Sequence, residues 1–257
     1  MTRNANLISP FARLEQLLGK DAVDRFKKSR VAVFGLGAVG SFVVEALARS
    51  GIGYLRLVDF DRVDASNINR QIFALHSTLG QEKAVLARER VLDINPDCEV
   101  DLHTSFVNAD SLSQFLSQDL DMVVDAIDGL NAKVSLILGA KQMGLNILSS
   151  MGAAGRTDVA MIRTGDLFDT EVCPLARMVR RRLRRRGLAS GVPCVYSIEP
   201  PLNKESFKDK DAVDPLAQGD VDGGQGRPRS PIGSAAWVPG CFGLTIAGLV
   251  LENLAVE

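Results

Sequence analysis

The run from residue 31 to 61, VAVFGLGAVGSFVVEALARSGIGYLRLVDFD, constrains this chain more than any other stretch. A short apolar strand (31–34) leads into a turn carrying Gly35, Gly37 and Gly40. An amphipathic helix follows, then a second apolar strand (54–58) that ends at Asp59. This order is that of a nucleotide-binding βαβ unit. The first glycine allows the tight turn, the second lets a phosphate approach the backbone, and the third lets the helix lie close to the strand. The free N–H groups and positive dipole end of the helix then face the phosphates, and an acid closing the second strand suits ribose hydroxyls.

A glycine turn of this kind holds either a nicotinamide dinucleotide or ATP, so the residues downstream must decide between them. The loop DFDRVDASNINRQIFALHSTLGQEKA (59–84) is long for a connection inside an α/β domain. It leaves the carboxyl end of a parallel strand, where such sheets bind ligands. It carries Asp61, Asp64, Asn67, Asn69, Arg70, Gln71 and Lys83. A dinucleotide has little use for an arginine and a lysine beyond its pyrophosphate, whereas a triphosphate needs them.

Further along, the apolar run 122–127 brings Asp125 and Asp128 to the end of a buried strand, in VVDAIDG. Acids there must be solvated, paired or bound to a cation, and beside a triphosphate Mg²⁺ is the natural partner for one of them. Helices are expected at 81–94, 111–117 and 131–143, and strands at 98–104, 146–150 and 192–199. An antiparallel strand is expected at 159–163. The alternation predicts a Rossmann-like, doubly wound, mostly parallel sheet. Ahead of it, residues 1–29 read as a helical arm, with Phe11, Leu14, Leu17 and Leu18 on one face, a break at Gly19, and Val23 and Phe26 on a second short helix. On its own, Arg13 of that arm reads as a solvated surface charge.

In CPLARMVRRRLRRRG (173–187), apolar residues at helical spacing alternate with seven arginines: Arg177, Arg180, Arg181, Arg182, Arg184, Arg185 and Arg186. Such a helix docks by one face and presents a charged one. Those arginines repel each other unless an anion offsets them, which points to phosphate or nucleic acid. The stretch 203–232 is polar and rich in Gly, Pro, Asp and Lys, and is expected to be mobile. A closing helix over 242–254 looks too short and too interrupted by Glu252 and Asn253 to anchor in a membrane. The expectation is a single domain, made of the arm (1–29), a nucleotide-binding core (30–165) and a substrate-side extension (166–257).

Bulk properties fit this picture. The formal net charge of −1 gives no global attraction to nucleic acid or membrane, so any such affinity is local. The four cysteines, Cys98, Cys173, Cys194 and Cys241, form no CxxC pair, which argues against a zinc knuckle or a disulfide framework. The N-terminal residues lack an apolar signal core, so a cytoplasmic location is expected.

The blocks GLGAVG, LVDFDRVDASNINRQ, GQEKA, DINP and VVDAID together resemble the ThiF/MoeB/HesA adenylating superfamily, the fold of ubiquitin-activating enzymes. FARLEQLLG, CPLARMVRRRLRRRG, CVYSIEPP and GSAAWVPGCFG are similar to its tRNA-modifying dehydratase branch. The resemblance implies ATP-dependent adenylation of a carboxylate on threonylcarbamoyladenosine in tRNA, followed by intramolecular ring closure to the cyclic form and release of AMP. It implies that Asp59, with Asp61 beside it, binds the ribose end. Asn67, Arg70 and Lys83 would bind the triphosphate, and Asp128 would hold Mg²⁺. Arg13 would reach into the neighbouring protomer of a homodimer. Arg180, Arg181, Arg184 and Arg185 would bind tRNA. The alternative within the superfamily adenylates the C-terminus of a ubiquitin-like sulfur-carrier protein; such activators commonly carry paired CxxC ligands, which this sequence lacks.

Overall fold

The computed structural model describes residues 9–202 and 232–256. Seven strands form one sheet: β1 (Arg30–Phe34), β2 (Tyr54–Val58), β3 (Glu99–His103), β4 (Met122–Asp125), β5 (Ile147–Ser150), β6 (Ile162–Asp166) and β7 (Pro193–Ser197). Their order is β3-β2-β1-β4-β5-β7-β6, with every neighbouring pair parallel except β6, which runs antiparallel along the β7 edge. The chain winds outward from β1 to β3, then returns to β4 on the other side of β1. The break between β1 and β4 is the switch point where open α/β sheets hold ligands at the carboxyl ends of the strands.

Helices cover both faces, which explains why the central strands read as unbroken apolar runs. On one face Val31, Val33, Leu55 and Leu57 pack under α3 (Gly40–Arg49), α4 (Lys83–Ile94) and α7 (Trp237–Val256). On the other, Ala32, Phe34 and Val123 meet α5 (Leu130–Gln142) and α6 (Pro174–Arg185). All four residues from Val31 to Phe34 are fully buried. The arm is two short helices, α1 (Ala12–Leu18) and α2 (Lys20–Phe26).

Four sequence expectations change in detail. On α1, Leu14 packs at the edge of the core but Leu17 is 77% and Leu18 44% exposed; the buried positions of the arm are on α2, at Ala22, Val23 and Phe26. The helix expected at 111–117 is a single 3-10 turn, Leu112–Gln114. Val159–Met161 is also a 3-10 turn, because the Asp158 carboxylate caps it by accepting from the Ala160 N–H; the antiparallel strand therefore starts at Ile162. The closing helix begins at Trp237, five residues earlier than expected. Its 20 residues are long and apolar enough to cross a bilayer, but half of them are buried against the rest of the protein. Gly243 makes that packing possible, because a Cβ there would stand 2.5 Å from the Val39 carbonyl oxygen on the turn into α3. The stretch expected to be mobile, 203–232, lies outside the described residues except for Ile232.

Candidate active site

The glycine turn sits on the switch point. Gly35 has φ +85°, and a Cβ there would meet the Ala126 carbonyl at 2.7 Å, so the end of β1 rests on the end of β4. At Gly40 a Cβ would fall 1.8 Å from the Gly35 carbonyl oxygen. Both glycines are therefore demanded by the fold itself. Gly37 is different: its nearest neighbour would be Gln71 Nε2 at 3.7 Å, an ordinary contact. Among the described residues nothing fills the space that a side chain at 37 would take, which leaves the backbone open to close approach by a phosphate.

Asp59, at the end of β2, is 8% exposed and braces this turn. Its Oδ2 accepts the Leu36 N–H at 2.6 Å and its Oδ1 accepts the Asp61 N–H at 2.8 Å. Burial pushes its carboxyl pKa up, against the opposing pull of Lys83 and of the two N–H groups. Lys83 opens α4 at 5% exposure, and its Nζ donates to Asp61 Oδ2 at 2.8 Å. The two acids expected at the ribose thus divide their work in the free protein: Asp59 shapes the turn and Asp61 orients the lysine.

The loop between β2 and α4 is held by its own polar side chains. Asp64 accepts the Ser66 N–H at 2.8 Å while Asn67 Oδ1 accepts the Asp64 N–H at 3.3 Å, a reciprocal cap that buries Asn67. Arg70 follows, half-buried, its Nη1 donating to the Ser66 carbonyl at 2.5 Å and to Asn69 Oδ1 at 3.0 Å. Asn69 in turn donates to the Ser234 carbonyl at 2.9 Å, tying the loop to the segment ahead of α7.

The two acids after β4 separate. Asp125 is fully buried and accepts from Lys133 Nζ at 2.6 Å and from the Ser149 hydroxyl. Its other oxygen accepts the Ile127 N–H at 3.1 Å, which shapes the turn carrying Asp128. Asp128 stands exposed ahead of α5. The sequence reading missed Lys133, whose signal is a lone lysine on an otherwise apolar helix face, eight residues after an acid.

Arg13 is exposed on α1, and Phe11 at the start of that helix packs on Gly51, ahead of the amino end of β2. Arg13 is therefore set apart from the glycine turn of its own chain. On α6 the arginines split. Arg180 folds back to donate to the Thr170 carbonyl at 2.7 Å and to the Thr170 hydroxyl, and Arg182 is buried and donates to Asn131 Oδ1. Arg177, Arg181, Arg184, Arg185 and Arg186 are exposed, with Arg184 lying 5.5 Å over the Phe168 ring. Burial pushes the thiols of Cys98 and Cys194 up to about 12, which leaves both as neutral core residues.

A doubly wound sheet, a glycine turn left open at Gly37 on the switch point and the cationic Arg70 and Lys83 of the following loop define a nucleotide-binding protein of the α/β class. The chain belongs to the ThiF family, whose model matches residues 11–253. It is 38% identical over 248 residues to the tRNA threonylcarbamoyladenosine dehydratase of Bacillus subtilis, covering 96% of this chain and 95% of that one. The enzyme of the same name from Escherichia coli is 34% identical over 259 residues, covering 96% and 94%. The crystal structure of the E. coli enzyme, TcdA, in complex with ATP superposes with a TM-score of 0.85 at 30% identity, covering 100% of this chain and 98% of that one.

Proposed function

We propose that this protein is an ATP-dependent enzyme that dehydrates threonylcarbamoyladenosine in tRNA to its cyclic form. The observation that carries this reading is the end-to-end likeness to dehydratases of that name, which runs past the nucleotide core through α6 and α7. The gap at Gly37 supports ATP as the co-substrate. Adenylation of a carboxylate asks the protein mainly to position the reactants and offset charge. Asp59 and Asp61 hold the ribose end, and Asn67, Arg70 and Lys83 take the phosphates, the two cations serving the departing pyrophosphate. The fit for Mg²⁺ is a single exposed carboxylate, Asp128; an ion that keeps several waters and shares phosphate oxygens needs no more from the protein. Bound there, the ion would neutralise phosphate charge.

Once the carboxylate is activated, an atom of the same side chain closes the ring and AMP leaves, so no enzyme nucleophile is required. The high pKa values of Cys98 and Cys194 accord with this. The exposed arginines of α6 supply the RNA face, chiefly Arg181, Arg184 and Arg185, with Arg180 stiffening the helix. Arg13 acts in the site of a second copy, which makes the working unit a homodimer. Its exposed neighbour Leu17 has the character of an interface residue. A tRNA-modifying enzyme of this design works in the cytoplasm. A sulfur-transfer or carrier protein remains the partner expected under the alternative reading.

Incubating the protein with Mg-ATP and tRNA bearing threonylcarbamoyladenosine should yield AMP and a nucleoside lighter by one water, read by mass spectrometry. Arg70→Ala and Lys83→Ala should each cut AMP formation about 10²- to 10³-fold while leaving the melting curve near that of the parent, because both side chains sit at the loop surface or pair with a half-exposed acid. Pyrophosphate exchange that needs a diglycine-ending protein and ignores tRNA would replace this reading with carrier-protein activation.

A further inference from the structure

Arg156 follows β5 in the small-residue run GAAGR and is 3% exposed. Its Nη1 donates to the Ala154 carbonyl at 3.0 Å, yet among the described residues its buried Nε and Nη2 have no hydrogen-bond partner. The acid nearest to hand, Glu199, is already spent. Its oxygens accept the Thr157 N–H at 3.0 and 3.1 Å, the Thr157 hydroxyl at 3.1 Å and the Asp158 N–H at 3.0 Å. Glu199 attracts the arginine without bonding it and instead pins the loop that carries it. A buried guanidinium with two idle nitrogens, carrying three N–H groups, is costly, and what repays it is an oxyanion.

The surroundings suit one. A Cβ added at Gly152 would lie 3.6 Å from Arg156 Nη1, 3.5 Å from Cys173 Sγ and 3.6 Å from Leu175 Cβ, so Gly152 is bordered both by the edge of the guanidinium and by the first turn of α6. No side chain among the described residues caps that 12-residue helix, so the positive end of its dipole at this first turn is left without a protein partner. The place is also joined to the nucleotide loop. Gly155 donates to the Gly233 carbonyl at 2.8 Å, and the Ser234 carbonyl accepts from Asn69, the residue beside Arg70.

We propose that Arg156 and the N-terminus of α6 form an oxyanion-binding subsite on the substrate side of the nucleotide site, taking a carboxylate or a phosphate of the RNA substrate. The subsite rests on the reading that tRNA is the substrate. Arg156 acts there as a binding residue, presenting a planar fork that lysine cannot reproduce.

The test compares the full-length protein with its Arg156→Met and Arg156→Lys variants. Arg156→Met should raise the KM for tRNA bearing threonylcarbamoyladenosine at least tenfold and leave the Kd for Mg-ATP within twofold. Its melting temperature should match or exceed the parent's, because an unbonded buried charge has been removed. Arg156→Lys should recover only part of the KM. Binding to the same tRNA without the modification separates the sources: unchanged affinity identifies the substrate carboxylate, and an equal loss identifies a phosphate. An Arg156→Met protein that melts earlier and keeps the parental KM makes Arg156 a structural partner of Glu199 and overturns the proposal. Should Arg156→Met fail to fold, Arg156→Lys at the parental melting temperature and parental KM overturns it equally. If the parent protein itself forms no cyclic nucleoside, the functional reading fails, and an unaltered affinity of Arg156→Met for both tRNAs, modified and unmodified, would sink the subsite separately.

Discussion

The turn after β1 and the loop after β5 both end a central parallel strand, yet they are built in opposite ways. Around the turn, the charged side chains each have a close partner: Asp59 on Leu36 and Asp61, Lys83 on Asp61, Arg70 on Ser66 and Asn69. What it leaves open is space, at Gly37. The β5 loop is packed tight and leaves open a charge, at Arg156. A site prepared by a gap accepts a ligand whose shape is fixed, as a nucleotide phosphate is. A site prepared by an unpaired cation selects by charge and tolerates variation in what carries it.

β4 lies between the two and holds them in register through the buried Asp125, Lys133 and Ser149 network, with Lys133 Nζ also donating to the Ser150 carbonyl at 2.8 Å. The largest effect is expected here. Lys133→Met should cost about 3–5 kcal/mol in denaturant unfolding, because it strands a buried carboxylate. Adding Asp125→Leu should return much of that loss. If Lys133→Met alone unfolds at the parental midpoint, the two loops do not share a common brace.

A smaller effect should appear at the gap. Gly37→Ala should weaken ATP binding by roughly tenfold, about 1.4 kcal/mol, by calorimetry. Its stability should stay level or rise by a few tenths of a kcal/mol, since the backbone there accepts a side chain and the unfolded chain loses freedom. Gly40→Ala should instead prevent folding, with a Cβ 1.8 Å from a carbonyl oxygen. Equal behaviour of the two variants would mean that Gly37 serves packing and the space beside it has no ligand.

The same contrast explains what the sequence could tell. The nucleotide half is legible because its logic is local: three glycines within six residues, an acid at the end of the next strand, a lysine opening the next helix. The β5 half depends on partners far apart in the chain. Thr157 meets Glu199, Gly155 meets Gly233, and Asn69 meets Ser234, none of which leaves a spacing to be read. For the same reason Arg156 looks like any loop arginine until its neighbours are known. The α6 arginines were legible as a charged face, but composition could not show that Arg180 and Arg182 turn inward to Thr170 and Asn131. The closing helix runs five residues further toward its N-terminus than expected, through Pro239 and Gly240, and there Gly240 and Gly243 let α7 approach α3, with Phe42 against both.

The smallest effect separates the anchor of the β5 loop from its charge. Burial alone would raise the Glu199 carboxyl, but the N–H groups of Asp158 and Thr157 outweigh it and hold the pKa below the ordinary glutamate value. A carboxyl lowered in the folded state contributes stability above its unfolded pKa of about 4.3, and that contribution is lost as pH falls through the folded value. Glu199→Gln should therefore melt earlier than the parent at pH 7, by about 1 kcal/mol, since the amide turns an NH₂ toward donors that need an acceptor. The difference should narrow as pH falls through the lowered folded value, where the parent too becomes protonated. A gap that stays constant across the acid range until the parent unfolds would mean that the carboxylate charge contributes nothing to pinning the loop, and Arg156 would then be held by packing and its bond to the Ala154 carbonyl.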